Sequence, residues 1–404
     1  MYSVFDIYLT KRGGLNDEAY ATLSLPASPY EILDALEKAR PDSPNEVDLM
    51  VEEYHGCEYL AKYILPQSDL YGLNALAEKL SELTDDEVIA FHGLVQTEAD
   101  KQDSRISIQR LLDLAYSTDC CHVVADALND SQLGRFYADN GFVPEVENLS
   151  DEAYDLLDFE QIGRKMRLGE DGAFVERSAD GPGGYVVRHD DLKQAPPIPT
   201  GLPQKPDYIF LMNLRLLPAI PAPPDRKRLV AIDLPATDEE IKSALDALGA
   251  SGLDDTMGAI VDGPLPVLKS EVFAGSEILL VNELAERVRD MSGKDLGVLK
   301  AVMDTRGFDT LDDVIELAGR TDEYIFEPGI RGVEQAAEAE LNAMLGEKDA
   351  GLIIQHLNLY AYGKALLEQE NAAITPYGRL QRRDGQPIQT MEQEPKMGGM
   401  EGMS

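Results

Sequence analysis

The chain has 404 residues, of which 44% are hydrophobic, so it is long enough for two or three domains and apolar enough to form packed cores. Its 74 acidic and 36 basic residues give a formal net charge of −38, which disfavours binding to nucleic acid or to anionic membranes. Three cysteines fit a reducing compartment, and no signal-peptide or membrane-helix pattern occurs, so we expect a cytoplasmic protein.

The N-terminal segment predicts a small α/β arrangement. SVFDIYLT, from Ser3, and AYATLSLP, from Ala19, have the composition of strands separated by turn residues. The stretch Ser28-Pro29-Tyr30-Glu31 predicts an N-terminal capping box with proline at the first helical position, and the helix SPYEILDALEKA follows. NEVDLMVEEY then predicts a further strand.

The segment that follows predicts several helices. Leucines spaced i, i+3, i+7 and i+10 indicate one apolar helical stripe, at Leu73, Leu76, Leu80 and Leu83. Thr84 and Glu87 predict a capping box for the next helix, and a third helix buries Ile108, Leu111, Leu112 and Ala115. DSQLGRFYADNGFVPE and DEAYDLLDFEQIGRKMR are also helical in pattern, and the strand YVVR comes after Gly-rich turns.

The same succession of motifs occurs a second time. LPASPYEILDALEKA, from Leu25, matches LPATDEEIKSALDAL, from Leu234, where Thr237 and Glu240 again predict a capping box. The core NxLAE is shared by the segments that start at Tyr71 and Leu280, and LDFEQIGRK matches LNLYAYGKA. The strands of the second copy are predicted at YIFLMNLRLL, RLVAIDLP and TMGAIVDG.

These matches predict an α+β fold made of two tandem copies of an elongated unit. Each copy has a small α/β start followed by a helix-rich acidic middle. We predict a first repeat at 1–191, a stiff Pro-rich linker at 192–206, a diverged second repeat at 207–384 and a disordered tail at 385–404.

The acidic residues concentrate in the helical middles of both copies. Residues 51–100 contain 11 acidic and 2 basic residues, and residues 301–350 contain 13 and 4, so each window has a net charge of −9. Like charges at helical i, i+4 spacing, such as Glu78 and Glu82, destabilise an isolated helix, which favours a functional reason for them. The candidate acidic surface consists of Glu78, Glu82, Asp85, Asp86, Glu87, Glu98, Asp100, Asp103, Glu283, Glu286, Asp290, Asp295, Asp309, Asp312, Asp313 and Glu316.

The size of the charge can be compared with that of DNA. Duplex DNA has one negative charge per about 1.7 Å of axis, so 38 charges at that density would cover about 65 Å, or about 19 base pairs. The charge is therefore sufficient for a surface that imitates phosphates. Plain solubility and adaptation to high salt are the alternative explanations of the acidic excess.

Several segments of the first copy resemble the ArdA family of antirestriction proteins, of the type found on mobile elements. They are LPASPYEILDALEKA, YGLNALAEKLSELTDDEVIAFHGLV, LLDLAYSTDCCHVV, QLGRFYADNGFVPE, LLDFEQIGRK and GGYVV. The resemblance covers about 1–191; in the second copy PGIRGVEQAAEAEL stands where the first has GRFYADNGFVP. It implies a non-catalytic, dimeric mimic of bent DNA that occupies the DNA-binding groove of type I restriction-modification enzymes. Two copies in one chain suggest an intramolecular pseudo-dimer or a longer mimic that dimerises again.

Other functions are less well supported by the residues. His55 with Cys57, and Cys120-Cys121-His122, lack the paired CxxC spacing of structural zinc sites, so we expect no metal, no cofactor and no Cys–His nucleophile. No GxxxxGK[ST] or EF-hand motif occurs. The remaining alternative is an acidic protein-interaction module that inhibits another DNA-binding protein, as an anti-CRISPR or a nucleoid-protein antagonist would.

Overall fold

The structure, a computed structural model, is that of an α+β protein in which helices alternate with small antiparallel sheets. It describes residues 3–13, 19–43, 45–65, 68–101, 106–125, 127–146, 149–176, 182–198, 201–221, 225–269 and 271–388, without the side chains of residues 100 and 101. None of the helices formed by these residues is long and apolar enough to cross a membrane.

The elements are numbered in chain order. Those before residue 200 are β1 (Phe5–Lys11), β2 (Tyr20–Leu25), α1 (Pro29–Ala39), β3 (Val47–Tyr54), α2 (Leu70–Ser81), α3 (Asp85–Lys101), α4 (Ile108–Ala115), β4 (Cys121–Ala125), α5 (Asp130–Asp139), α6 (Asp151–Tyr154), α7 (Phe159–Glu170), β5 (Ala173–Val175) and β6 (Gly184–Arg188). Those after residue 200 are β7 (Phe210–Leu216), β8 (Val230–Leu234), α8 (Asp238–Leu248), β9 (Thr256–Asp262), β10 (Val272–Ala274), α9 (Ile278–Asp290), α10 (Gly293–Arg306), α11 (Leu311–Ala318), β11 (Tyr324–Glu327), α12 (Val333–Leu345), α13 (Glu347–Ile354), α14 (Leu359–Glu370), β12 (Ala373–Thr375) and β13 (Gly378–Arg382).

The described residues group into two compact units. The first holds the residues from 3 to 203 except 19–20 and Ser28–Arg40, and these two segments belong with residues 204–388 to the second. Helix α1 therefore lies in the second unit, although the residues on both sides of it in the chain lie in the first.

The first unit contains two three-stranded sheets, with the orders β2-β1-β3 and β4-β6-β5. The central strand β1 alternates over most of its length, so that Phe5, Ile7 and Leu9 are fully buried while Asp6 and Tyr8 are partly exposed. Helices α5 and α7 cross at glycines. A Cβ atom on Gly134 would lie 1.9 Å from the carbonyl oxygen of Phe159, so only glycine permits this backbone contact.

The second unit contains a four-stranded sheet, β10-β9-β7-β8, and a three-stranded sheet, β11-β13-β12. One continuous core packs the first of these sheets against α8 and α9, and it extends through α10 and α11 to Tyr324 and Leu380 of the second sheet. Helix α1 begins with the capping box predicted for it: Ser28 Oγ accepts a hydrogen bond from the Glu31 amide, and the Glu31 carboxylate accepts one from the Ser28 amide at 2.8 Å.

The order of elements in the two parts of the chain is similar. Strands β2-β1-β3 and β8-β7-β9 have the same relative order, the helix after each sheet's second strand begins with a capping box, and the peptide bonds Leu25–Pro26 and Leu234–Pro235 are both cis. The arrangement of the chain as two tandem copies of one elongated unit stays a prediction.

Local sequence patterns predicted the strands β1, β2, β3, β7, β8 and β9 and the caps of α1 and α8 correctly. Three helix predictions were wrong in extent. The pattern DSQLGRFYADNGFVPE is an α-helix only over Asp130–Asp139. Helix α2 ends at Ser81, so Leu83 lies beyond the stripe, and the pattern DEAYDLLDFEQIGRKMR is divided because Asp158 begins a new helix, α7, as its N-cap. The short strands β4, β5 and β10 to β13 were not predicted.

The predicted linker is only partly a spacer. Residues 192–198 form no helix or strand, but three side chains of the α4 region accept hydrogen bonds from their amides: Gln109 from Ile198, Asp113 from Ala195, and Ser117 from Lys193. Ile388 packs against the core of the second unit, so the predicted disordered tail does not include it. Residues 199–200 and 389–404 lie outside the described residues.

Candidate acidic interaction surface

Helix α2 presents its acidic side to solvent because its apolar side faces the core. Asp69 caps the helix by accepting a hydrogen bond from the Gly72 amide at 3.1 Å, and Leu73 and Leu76 are fully buried. Glu78 and Glu82 are exposed. Glu82 lies 3.9 Å from the ammonium of Lys79, while Glu78 has no ion pair among the described residues.

The first turn of α3 contains three consecutive acidic residues with two different roles. The Glu87 carboxylate accepts hydrogen bonds from the Thr84 amide and hydroxyl, both at 2.9 Å, and these bonds lower the pKa of Glu87. Asp85 and Asp86 are exposed. Negative charge at a helix N-terminus is favourable, so these two residues stabilise α3 as well as charging its surface.

Glu98 does not belong to the exposed surface, contrary to the prediction. It is 8% exposed, and its two carboxylate oxygens accept hydrogen bonds from Arg110 Nε and Nη2 at 2.9 and 3.1 Å. This bidentate pair joins α3 to α4 and raises the pKa of Arg110. Asp103 and the side chain of Asp100 lie outside the described residues.

The acidic side chains of α9 and the start of α10 are exposed but partly paired. Glu283 accepts a hydrogen bond from Arg287 at 2.9 Å, and Asp290 lies 3.4 Å from Arg289. Glu286 is exposed without an ion pair in the described part of the chain. Asp295 is half-buried, and its backbone amide donates to the helix cap, Ser292.

The carboxylates around α11 are of three kinds: one caps the helix, one forms an ion pair, and two are exposed. Asp313 completes the capping box with Thr310, whose hydroxyl and amide donate to it, and these bonds lower the pKa of Asp313. Glu316 pairs with Arg320. Asp309 and Asp312 are exposed, and no base contacts their carboxylates among the described residues.

The predicted set thus divides into structural and available carboxylates. The structural ones form caps or ion pairs within one helical region or, for Glu98, with the next helix. The available ones are exposed, and no ion pair is found for them within the described ranges: Glu78, Asp85 and Asp86 in the first unit, and Glu286, Asp309 and Asp312 in the second. Exposed carboxylates accept hydrogen bonds and ion pairs from Lys and Arg of a partner, as phosphate oxygens do.

The cysteines considered as nucleophiles or zinc ligands lie in surroundings that raise the pKa of their thiols. Burial raises the pKa of Cys57 to about 12 and that of Cys121 to about 11, so both remain thiols at neutral pH. The Cys57 thiol donates to the Val4 carbonyl at 3.7 Å rather than contacting His55. The His122 ring stacks on His189, with ring centroids 4.1 Å apart, and this ring contact had no signal in the sequence.

One cluster of possible metal ligands was missed by the sequence analysis. Asp6, Glu53 and His55 place one ligand atom each within 4.8 Å of one another. Asp6 is 47 residues before Glu53, and only the pairing of β1 with β3 brings them together, so no local motif could have revealed the cluster.

Comparison with known proteins gives no assignment for this arrangement. No protein-family model matches the chain, and no curated protein sequence is similar to it.

Proposed function

We propose that this protein is a non-catalytic inhibitor that presents carboxylates in place of DNA phosphates and occupies the DNA-binding groove of a type I restriction-modification enzyme. The observation that supports it best is the set of six available carboxylates on α2, α3, α9 and the α11 region, in a chain of net charge −38. The resemblance of residues 1–191 to ArdA proteins supplies the identity of the target.

The chemistry of the target fits these groups. A DNA-binding groove is lined with Lys and Arg side chains that neutralise phosphates, and these side chains bind carboxylates by the same charge-assisted hydrogen bonds. Because the available carboxylates have no basic partner in the described part of the chain, they can bind such a groove without first breaking an ion pair. The inhibitor would act in the cytoplasm, where restriction enzymes meet incoming DNA.

The proposal is tested by competition for the enzyme. Purified protein is titrated into a type I restriction-modification enzyme bound to labelled duplex, at two salt concentrations. We expect displacement of the duplex, and direct binding of the inhibitor to the DNA-free enzyme that weakens as salt increases, since its contacts are between charges. An unchanged DNA complex, with the inhibitor shown to be folded, would remove this target; displacement from a CRISPR or nucleoid protein instead would favour the alternative acidic interaction module.

A matched pair of variants separates surface geometry from net charge. The test variant carries Glu78→Gln, Asp85→Asn and Asp86→Asn, whereas the control carries Asp233→Asn, Glu239→Gln and Asp246→Asn, three exposed acidic residues outside the candidate surface. Both lose three charges. We expect about tenfold weaker inhibition for the test variant, equivalent to about 1.4 kcal/mol, and a smaller change for the control. Equal losses would show that total charge, and not this surface, determines inhibition.

A further inference from the structure

We infer that Asp6, Glu53 and His55 form a binding site for one divalent transition-metal ion of the zinc class, separate from the acidic interaction surface. The three residues lie in the first unit, on the outer side of the β2-β1-β3 sheet where β3 ends. This site does not depend on the proposed function, because none of its ligands belongs to the candidate surface.

The distances bring the three ligand atoms to one point. His55 Nε2 lies 2.8 Å from Asp6 Oδ2 and 3.8 Å from Glu53 Oε2, and all three ligand atoms are within 4.8 Å of one another. Ligand atoms bound at 2.0–2.2 Å from one zinc ion are separated by about 3–4 Å. Only small side-chain movements are therefore needed to bind an ion between them.

The backbone brings the three residues next to one another before any ion binds. A β-bulge follows Asp6, because Asp6 pairs with Glu53 while the next residue, Ile7, pairs with Val51. Bulges redirect side chains, and this one places the carboxylates of adjacent strands side by side. The His55 amide donates to the Val4 carbonyl at 3.0 Å, which positions the residue after β3.

Further hydrogen bonds orient the Asp6 carboxylate. Ser3 Oγ donates to Asp6 Oδ1 at 2.9 Å, and the side chain of Ser24, on β2, also hydrogen-bonds Asp6. The other carboxylate oxygen, Oδ2, is the one that contacts His55 Nε2. Outer hydrogen bonds of this kind are a regular feature of metal sites, where they fix the orientation of the ligands.

The ligand types select the class of ion. An imidazole nitrogen with two carboxylates suits Zn²⁺, Co²⁺ and Ni²⁺, whereas Mg²⁺ and Ca²⁺ prefer oxygen ligands alone. Zinc is usually four-coordinate, so three protein ligands leave the fourth position for a water molecule. In the β8-β7-β9 sheet, Leu211 pairs with Asp262 as Asp6 pairs with Glu53. The positions that correspond to Asp6, Glu53 and His55 are therefore occupied by Leu211, Asp262 and Pro264. Only one of these can bind a metal through its side chain, so we expect one ion per chain.

The test is a titration of the full chain with Zn²⁺ and, for a visible spectrum, Co²⁺, in enough salt to suppress diffuse binding to the acidic surface. We expect one ion per chain, a shift of the His55 ring resonances in NMR spectra, and no equivalent binding of Mg²⁺. His55→Gln should weaken the binding about tenfold or more, while His356→Gln, at an exposed histidine of the second unit, should not change it.

Two results would overturn the inference. One is Zn²⁺ binding that His55→Gln and Asp6→Asn, both folded by circular dichroism, leave unchanged. The other is binding that vanishes when salt is raised, because a diffuse atmosphere of cations around a chain of net charge −38 would behave in that way.

Discussion

Two asparagines in equivalent positions of α2 and α9 bind the chain segment before a helix in the same way. Asn74 Oδ1 accepts a hydrogen bond from the Ala27 amide at 2.7 Å, and its Nδ2 donates to the Ala27 carbonyl at 3.1 Å. Asn282 makes the same two bonds with Ala236, at 2.7 and 3.1 Å. Each amide side chain thus satisfies both polar groups of one backbone residue, because its carbonyl oxygen accepts and its NH₂ group donates.

We predict that Asn74→Ala and Asn282→Ala each lower the free energy of unfolding of their unit by about 1–3 kcal/mol, since two backbone groups lose their partners. Urea unfolding followed by circular dichroism, with hydrogen exchange at Ala27 and Ala236, measures the loss. Asn140→Ala is the control because its side chain is exposed and donates to the carbonyl oxygen of Phe136 in its own helix. A loss no larger than that of the control would contradict the role assigned to the pair.

At the scale of single elements, α1 is bound to the second unit through a buried charged network. Asp34 is 5% exposed. Lys300 Nζ lies 2.8 Å from Asp34 Oδ1 and 2.9 Å from Glu37 Oε2, and the Tyr377 hydroxyl donates to Asp34 Oδ1 at 3.1 Å. Burial raises the pKa of Asp34, but the charges of Lys300 and Lys38 outweigh it and hold the pKa below its ordinary value. The ion pairs therefore stabilise α1 in its place.

We predict that Lys300→Met lowers the free energy of unfolding of the second unit by about 3–5 kcal/mol, because it leaves buried Asp34 with less compensation. Hydrogen exchange in α1 should accelerate, whereas Lys294→Met, at an exposed lysine of α10, should have little effect. Since the pKa of Asp34 is lowered in the folded state, its contribution is complete above pH 3.8 and is lost as the pH falls below that value. Protection factors in α1, that is, exchange rates corrected for the intrinsic pH dependence of amide exchange, that are equally high at pH 7 and at pH 3 would contradict this account.

Some elements could be predicted from the sequence and others could not. The difference depends on whether the interactions that define an element are between neighbours in the chain or between residues far apart in it. The capping boxes at Ser28 and Thr237 are local and were predicted correctly. Strand β12, of three residues, forms only by pairing with β13, so its pattern is too short to recognise. Glu98 was assigned to the surface because its partner, Arg110, lies twelve residues away on the next helix.

For the whole molecule, the net charge of −38 acts in opposite directions on stability and on binding. Like charges on one chain repel each other and destabilise the compact state, and salt screens that repulsion. The same screening weakens the attraction to a basic partner. If the acidic surface is retained for binding, added salt should raise stability and weaken binding. If it is retained for stability, added salt should lower stability.

We predict that raising NaCl from about 0.05 to 0.5 M, which shortens the Debye length from about 14 to about 4 Å, increases the melting temperature by about 2–4 °C while it reduces inhibition. Differential scanning calorimetry and the competition assay measure the two effects in the same buffers. A variant with the available carboxylates neutralised should show smaller responses in both. A melting temperature that falls with salt would contradict the dominance of self-repulsion.

The position of helix α1 in the second unit affects whether the chain would separate into two fragments after proteolytic cleavage. A single cut after Lys193 gives two fragments, but these fragments differ from the two units, because Ser28–Arg40 remains with the N-terminal piece. That piece would still be held by Lys300, Tyr377 and Arg331 through their contacts with Asp34 and Lys38. The nicked protein should therefore remain one particle in solution, and the intact covalent connection is not what keeps its halves together.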